Sequence, residues 1–455
     1  METFQPRKFS LSTGGALLLL GNAFFTTISM LTGIVLARWL GREGRGLVAL
    51  FATTPQIIFR FSNMGVGSAV SYYLGRKQYE TSVVLSSALA FGAVSSTAAT
   101  VLLFLLIPPS SEYWEGIPLW ALISICPLTI AVLWQNIGTR FHMALFHVHY
   151  SALSRIIQGL VRFCFILLLV IALRFGVTGA IVSSCLELVV ACVVVLFLAG
   201  RYVNIEYTLN VKLIYRLMHY GIRNWLFMLF AGVNTHIGIY LLNYYSDAGA
   251  VGLFATGQGF CLFLMMVPEA WTSLLLPRVA GSDPNTINEQ TLRLCRNGLL
   301  ILLVLGGLIM LAAPTMVTLL YGQAFAQSTR VVWVIMPGLL FLHIYRVLAV
   351  DFAGRARQII PIITSLTSLV VNILVGIVLI PRNAWYGGIV GASLALTFST
   401  LLMAVIISVF YSKNWNVSLR KLFFINADDI TFYKSRLSRL ISNKDRNIQS
   451  KGKGE

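Results

Sequence analysis

Charged side chains that interrupt long apolar runs are the residues of this sequence best suited to chemistry. There are six of them: Arg60, Arg162, Glu187, Glu269, Arg346 and Asp351. A charge at bilayer depth is costly and usually functional, so these side chains could hold an anion, carry a proton or form an internal ion pair. Arginine is the better partner for a diphosphate, because its planar fork pairs with phosphate oxygens and stays charged.

Arg60 lies in the middle of the second apolar run, between two phenylalanines. Two interpretations remain open for it, a cation facing an internal cavity and a structural ion pair. Glu269 follows Pro268 in the eighth run, and a proline there loosens the helix and frees a carbonyl. We predict an Arg60–Glu269 pair that closes one state of the protein and opens in the other.

The remaining intramembrane charges each have a structural alternative. Glu187 could carry a coupling proton, or it could be a hydrogen-bonded structural acid. Arg346 and Asp351 are five residues apart and share one helix face poorly. Asp351 is near a span end, so a solvated side chain explains its charge equally well. Arg162 is also near a span end, and its long side chain could reach the membrane interface.

Three arginines, Arg38, Arg42 and Arg45, stand within eight residues between the first two runs. They form either a diphosphate site or a gating cluster at the mouth of a cavity, or a solvated loop offset by Glu43. The histidines at 142, 147 and 149 are better explained as interfacial residues than as metal ligands. His236 is intramembrane, and packing or a hydrogen bond is its favoured explanation. The six cysteines show neither disulfide nor metal-site spacing.

The elements that must position these residues are membrane-spanning helices. Hydrophobic residues make up 57% of the 455 residues, charged residues only 11%, and mean hydropathy is +0.80. Runs of about 20 apolar residues recur, each long enough to cross a bilayer core. We predict twelve spans: 12–36, 46–72, 82–107, 117–138, 157–174, 177–199, 222–245, 250–275, 297–320, 331–352, 358–380 and 388–411.

The basic residues predict the orientation, because cytoplasmic loops carry an excess of lysine and arginine. With the N-terminus inside, about 25 of the 34 basic residues lie in the N-terminus, the even-numbered loops and the tail. Both termini are therefore predicted to be cytoplasmic. The net charge of +18 suits an anionic inner leaflet, and nucleic-acid binding is not predicted.

The second half of the chain repeats features of the first. Leu50–Thr53 and Leu253–Thr256 share the sequence LFAT, and three further matches follow in the same order at offsets between 203 and 212. Six spans per half make this a parallel repeat, which is typical of transporters that expose a central cavity to alternate sides. We predict two six-helix lobes, 1–205 and 206–411, and a basic cytoplasmic tail, 412–455.

Several short segments resemble one transporter family when they are taken as an ordered set. They are Ala37–Gly46 (ARWLGREGRG), Asn63–Ala69 (NMGVGSA), Gly249–Ala255 (GAVGLFA), Leu320–Gly322 (LYG) and Gly388–Ala392 (GIVGA). Over about 1–412 the chain is similar to the oligosaccharide flippases of the multidrug/oligosaccharidyl-lipid/polysaccharide (MOP) exporter superfamily. The resemblance implies an all-α fold of two six-helix lobes arranged as a V.

The resemblance also implies a function. The substrate would be a polyprenyl-diphosphate-linked oligosaccharide moved across the bacterial inner membrane for O-antigen, capsule or exopolysaccharide synthesis. Arg60, Arg346, Arg38, Arg42 and Arg45 are the predicted substrate-binding or gating cations, and Glu187, Glu269 and Asp351 the predicted coupling or ion-pairing acids. Membrane lipid, polysaccharide polymerase and chain-length machinery are the candidate partners, and we predict no cofactor and no metal.

Two alternatives remain open at this stage. A multidrug or organic-cation exporter of the same superfamily would need carboxylates in its cavity, whereas this chain has as many intramembrane arginines as acids. A membrane polysaccharide polymerase or glycosyltransferase would need a long external loop, and the longest predicted here, about Ile107–Ile117, is short. Neither a phosphate-binding GxxxxGK[ST] loop nor a protease or esterase motif occurs, so we predict no enzyme.

Overall fold

The structure, a computed structural model, is built from helices throughout its described residues, which are 11–76, 78–201, 203, 210–266, 284–355, 357–381 and 387–424. In hydrocarbon each backbone polar group needs an internal partner, and a helix provides one. The α-helices are α1 Leu11–Ser62, α2 Val66–Gly75, α3 Thr81–Leu106, α4 Leu119–Ala144, α5 Val148–Ile166, α6 Gly176–Gly200, α7 Val211–Tyr245, α8 Ala248–Leu264, α9 Pro284–Tyr321, α10 Ser328–Gly354, α11 Ile359–Leu379, α12 Gly387–Trp415 and α13 Arg420–Phe423.

The helix lengths account for about twelve membrane crossings. Ten helical stretches of the described chain are long and apolar enough to cross a membrane. The first, Leu17–Ser62, has 46 residues, which is enough for two crossings, and the described part of α8 is apolar but shorter. The predicted all-α, multi-pass membrane fold is confirmed.

The connection predicted between the first two spans is a bend at one residue. Helix α1 is interrupted only at Gly41, whose φ of 67° and ψ of −174° are not helical. A Cβ at Gly33 would lie 3.6 Å from Nη2 of Arg45, although twelve residues of straight helix span about 18 Å. The two legs of α1 therefore fold back on each other, and Gly41 supplies the positive φ that the reversal needs.

Each half of the chain packs mainly with itself. In the N-terminal half, α1 packs on α5, α5 and α4 on α6, and α4 on α2 and α3. In the C-terminal half, α12 packs on α10 and α11, α10 on α8 and α9, and α11 on α7. The main contact between the halves joins α1 to α8, with smaller contacts of α1 and α2 to α7. The predicted division into two six-helix lobes stays a prediction.

Glycines allow the two halves to touch at both ends of the bundle. At the end that holds Gly41, a Cβ on Gly46 would lie 1.7 Å from the carbonyl oxygen of Ala248. At the opposite end, a Cβ on Gly65 would lie 2.2 Å from the carbonyl oxygen of Gly221. We call these the Gly41 end and the Gly65 end. Backbones this close leave no room for a side chain, so each contact depends on its glycines.

Some predictions fall outside the described residues. Glu269 is one of them, so the predicted Arg60–Glu269 pair stays a prediction. The predicted boundary between the lobes, after residue 205, is another, as is the tail beyond residue 424. Helix α12 extends past Tyr411 to Trp415, and α13 follows it.

Candidate functional site

A polar stripe on α4 forms one wall of the candidate site. The stripe consists of Gln135, Asn136, Thr139 and Arg140, with the apolar Val132 one turn before it, and these five residues line two adjoining cavities. Their spacing of three, one, three and one residues places them on one face of a helix. The residues between them are mostly apolar, so α4 turns its polar face inward and its apolar face to neighbouring helices or lipid.

Four other helices complete the walls of the site. Two adjoining cavities of about 90 and 170 Å³ share Phe59 and Asn136, and we call them together the interior cavity. The remaining lining residues come from α1 (Gln56, Arg60), the α1–α2 break (Asn63, Gly65), α2 (Ser68), α5 (Arg155, Gln158) and α7 (Trp225, Met228, Leu229). Helix α7 belongs to the C-terminal half, so the cavity lies where the halves meet.

Arg60 reaches from α1 across to α7. Its guanidinium lies over Gly232, where a Cβ would be 2.1 Å from Nη1. Its backbone carbonyl accepts a hydrogen bond of 2.6 Å from Nε1 of Trp225. The Nε of Arg60 is buried and has no hydrogen-bond partner among the described residues. Arg60 and Arg346 are near enough to repel each other, which concentrates positive charge between the halves.

The interior cavity is cationic. Arg60, Arg140 and Arg155 line it, and its lining, as far as the chain is described, includes no carboxylate. In the described part of the chain, neither Arg60 nor Arg140 forms an ion pair. An unpaired buried charge is unfavourable unless something else compensates it. The arrangement therefore suits an anionic ligand. Guanidinium groups favour a ligand with phosphate oxygens, because each group can donate two parallel hydrogen bonds to them.

Glu187 stands behind the cavity wall and neutralises part of this charge. Its carboxylate pairs with Nη1 of Arg162 at 3.2 Å and accepts a hydrogen bond of 2.9 Å from Nε2 of Gln158. The Oε1 of Gln158 accepts in turn from Gln135 at 2.9 Å and from Arg155 at 3.3 Å. A continuous polar network therefore links the cavity to a buried carboxylate, and Arg162 pairs inside the protein instead of extending to the interface.

The three arginines around Gly41 do not form one cluster. Arg38 donates to the carbonyl oxygens of Leu319 and Leu320 at the end of α9, the latter at 2.7 Å from its Nε. Arg45 points inward, where it is near Arg162. Arg42 is exposed and lines a separate cavity of about 350 Å³ at the Gly41 end. The chain thus uses adjacent cations for three different contacts.

Asp351 has a structural environment in the C-terminal half. It is fully buried and pairs with Nε of Arg355 at 2.7 Å, and its other oxygen accepts 2.7 Å from Thr291. Nη2 of Arg355 also donates to Asn288 at 2.7 Å. These bonds join the start of α9 to the end of α10. Arg346 lies on the same helix, α10, five residues before Asp351.

Sequence reasoning missed Arg140 and Arg155. Both fall in the loop predicted between spans four and five, but α4 continues to Ala144 and α5 begins at Val148. The signal that could have found Arg140 is the helical spacing of polar residues on α4. The histidines near them have structural contacts, since a ring nitrogen of His142 lies 3.0 Å from the carbonyl oxygen of Val195.

Comparison with solved structures identifies the fold. A structure described as the lipid II flippase MurJ in an inward closed conformation has a TM-score of 0.72 at 14% identity and covers 90% of this chain and 91% of its own. An inward-facing multidrug resistance MATE family transporter of the MOP superfamily has a TM-score of 0.70 at 16% identity, with coverages of 87% and 96%. A MOP superfamily transporter from Pyrococcus furiosus, described as having a binding pocket of reverse polarity, has a TM-score of 0.66 at 14% identity, with coverages of 90% and 97%.

These likenesses define a multi-pass membrane protein with the fold of MOP superfamily transporters. A family model described as polysaccharide biosynthesis protein matches residues 35–330, which is more than half of the chain. The chain belongs to that family. Comparison with the curated proteins gives no match.

Proposed function

We propose that the protein is a flippase for polyprenyl-diphosphate-linked oligosaccharides in the bacterial inner membrane. The observation that carries the proposal is the interior cavity, whose described lining holds Arg60, Arg140 and Arg155 and no carboxylate. A diphosphate cannot cross hydrocarbon unaided, because burying its charge without partners is prohibitive. Interior arginines would compensate that charge while the prenyl chain stays in lipid.

Family and fold support the same proposal. The family model concerns polysaccharide biosynthesis, and one fold neighbour is described as a lipid II flippase. The carried unit would serve O-antigen, capsule or exopolysaccharide synthesis. We place both termini in the cytoplasm, so that the Gly65 end faces the cytoplasm and the Gly41 end faces outward. Polysaccharide polymerase and chain-length machinery are the proposed partners.

The second candidate is a multidrug exporter, because MATE transporters share the fold. An organic cation would be attracted by carboxylates and repelled by three arginines in the cavity lining. The cavity therefore favours the anionic substrate over the cationic one. A polymerase or glycosyltransferase is the alternative from another class, an enzyme. Deletion of the gene distinguishes it from a flippase.

The test is deletion of the gene in its host, followed by complementation with wild type, Arg60→Gln, Arg140→Gln or Arg420→Gln at matched membrane levels. Arg420 is exposed on α13 and lines neither part of the interior cavity, so its variant controls for the loss of one positive charge. Surface glycan and the sidedness of lipid-linked units are measured together. We expect deletion, Arg60→Gln and Arg140→Gln to stop surface glycan and leave complete units facing the cytoplasm.

Three other outcomes would contradict the proposal. Units that reach the outer leaflet but stay unpolymerised would identify a polymerase. Normal glycan after deletion would leave drug export as the leading function. Normal glycan in both arginine variants would remove the interior cavity from the mechanism.

A further inference from the structure

A second cavity, of about 350 Å³, opens at the Gly41 end and is larger than either part of the interior cavity. Its volume falls in the range of small-molecule sites, roughly 300–1,000 Å³. It shares no lining residue with the interior cavity, and the residues that line it include Arg42, Asp247, Gln327, Arg330 and Gly388. Both arginines are exposed, so a ligand at the membrane surface could reach them.

Arg42 is held in place by the first turns of α8. Its carbonyl oxygen would lie 2.0 Å from a Cβ at Gly252, and its Nε would lie 3.4 Å from a Cβ at Gly249. Two glycines thus let α1 approach α8 closely and fix the start of the Arg42 side chain. Arg330 lies in the first turn of α10, so the two guanidinium groups approach the cavity from different helices.

The backbone adds to the positive charge of these arginines. The cavity lies at the first turns of α8 and α10, which begin at Ala248 and Ser328, and beside Gly388, the non-helical residue after which α12 becomes regular. Each helix N-terminus carries about half a positive charge. Asp247 is the acid in the lining, and its Oδ1 accepts a hydrogen bond of 2.7 Å from the backbone N–H of Ala250. The same Oδ1 also lies beside Arg42, since a Cβ at Gly249 would be 3.0 Å from Oδ1 of Asp247 and 3.4 Å from Nε of Arg42. One carboxylate against two arginines and the helix N-termini leaves the lining with a net positive charge.

We infer that this cavity binds the phosphate or diphosphate group of a lipid at the membrane surface. Forked guanidinium groups and helix N-termini are both suited to phosphate oxygens. The inference rests on the proposed function, in which the Gly41 end is the exit side. The diphosphate would then bind first in the interior cavity and afterwards, on its way out, in this second cavity. An anionic phospholipid headgroup has the same chemistry and is the other source.

The test counts bound molecules of farnesyl diphosphate on full-length, detergent-purified protein by native mass spectrometry. We expect two per wild-type chain, one per Arg42→Gln/Arg330→Gln chain and one per Arg60→Gln/Arg140→Gln chain. Arg420→Gln is the control with a matched residue change and should keep two. Titration of each variant should show the lost site weakened at least tenfold, which is the effect of about 1.4 kcal/mol from losing charged hydrogen bonds.

The outcomes separate the two proposals. Two molecules bound by the Arg42→Gln/Arg330→Gln protein would overturn the surface site and leave the proposed function intact. No binding by wild type would overturn both, and binding lost only in the Arg42→Gln/Arg330→Gln protein would count against the interior site. Phosphatidylglycerol added in competition decides the source: displacement at the surface site alone identifies a phospholipid headgroup, and no displacement identifies the prenyl diphosphate.

Discussion

At the scale of single residues, the unusual feature is a pair of interior arginines that have no counter-ion among the described residues. Arg60 and Arg140 have no ion-pair partner in the described part of the chain. Such charges are costly in an apolar environment, so their retention favours a role in binding. Arg162, by contrast, has its own carboxylate in Glu187 and belongs to the scaffold.

Gly232→Ala tests the position of Arg60 without touching its charge. The added methyl would overlap Nη1 of Arg60, which is the flexible end of a long side chain. We therefore expect normal insertion and a guanidinium displaced from α7. Transport of a lipid-linked oligosaccharide in reconstituted vesicles should fall about tenfold, which corresponds to about 1.4 kcal/mol of lost charge-assisted bonding.

Gly307→Ala is the matched control for that change. Gly307 lies in α9, and a methyl group added there would meet no atom of the described chain within 4 Å, so its substitution should leave transport unchanged. Equal activity of Gly232→Ala and wild type at equal protein levels would show that the placement of Arg60 over α7 is unimportant.

At the scale of helices, the sequence predicts the elements better than their ends. Hydropathy found the spans because lipid-facing residues must be apolar. It stopped at residue 138 for α4 and resumed at 157 for α5, although these helices reach Ala144 and begin at Val148. The extra turns carry polar residues that face protein, and hydropathy cannot distinguish them from a solvated loop. Arg140 and Arg155 were missed for that reason.

Pairing between helices was also beyond sequence reasoning. Arg162 and Glu187 are 25 residues apart on α5 and α6, and only packing of those helices shows that they meet. The bend at Gly41 is a similar case, because a glycine in a polar stretch fits a loop and a sharp reversal equally well. It separates Arg38, Arg42 and Arg45, which looked like one cluster.

Glu187→Ala tests whether α5 and α6 depend on their ion pair. Removing one partner of a buried pair typically costs about 3–5 kcal/mol, and Arg162 is 18% exposed, so we expect the lower end, about 3 kcal/mol. Thermal unfolding of the purified protein measures the loss. The Arg162→Ala/Glu187→Ala double variant should be more stable than Glu187→Ala, because no unpaired charge remains. Additive losses would show that the two side chains do not interact.

At the scale of the whole molecule, the two halves touch at both ends, through Gly46 and Ala248 at one and Gly65 and Gly221 at the other. A carrier with this arrangement has to separate one contact while it keeps the other, since opening both would leave a continuous path. At the Gly65 end the contact extends outward from the interior cavity to Tyr72 of α2 and Tyr220 of α7, whose rings stack at 4.0 Å.

Cross-linking that stack should stop transport by holding the Gly65 end closed. The variant is Tyr72→Cys/Tyr220→Cys in a background without the six native cysteines, treated with a bismaleimide in reconstituted vesicles. We expect each single cysteine variant to remain active after treatment and the cross-linked double variant to lose transport.

Tyr73→Cys/Tyr79→Cys provides the matched control for the cross-link. These rings are 5.9 Å apart and both belong to the N-terminal half, so a link between them restrains no motion between the halves and should leave transport intact. If the fully cross-linked Tyr72→Cys/Tyr220→Cys protein still transports, α2 and α7 do not separate during the cycle. The substrate would then have to enter through a gap between helices of one half, and the glycine contact at Gly65 would be a fixed joint of the fold.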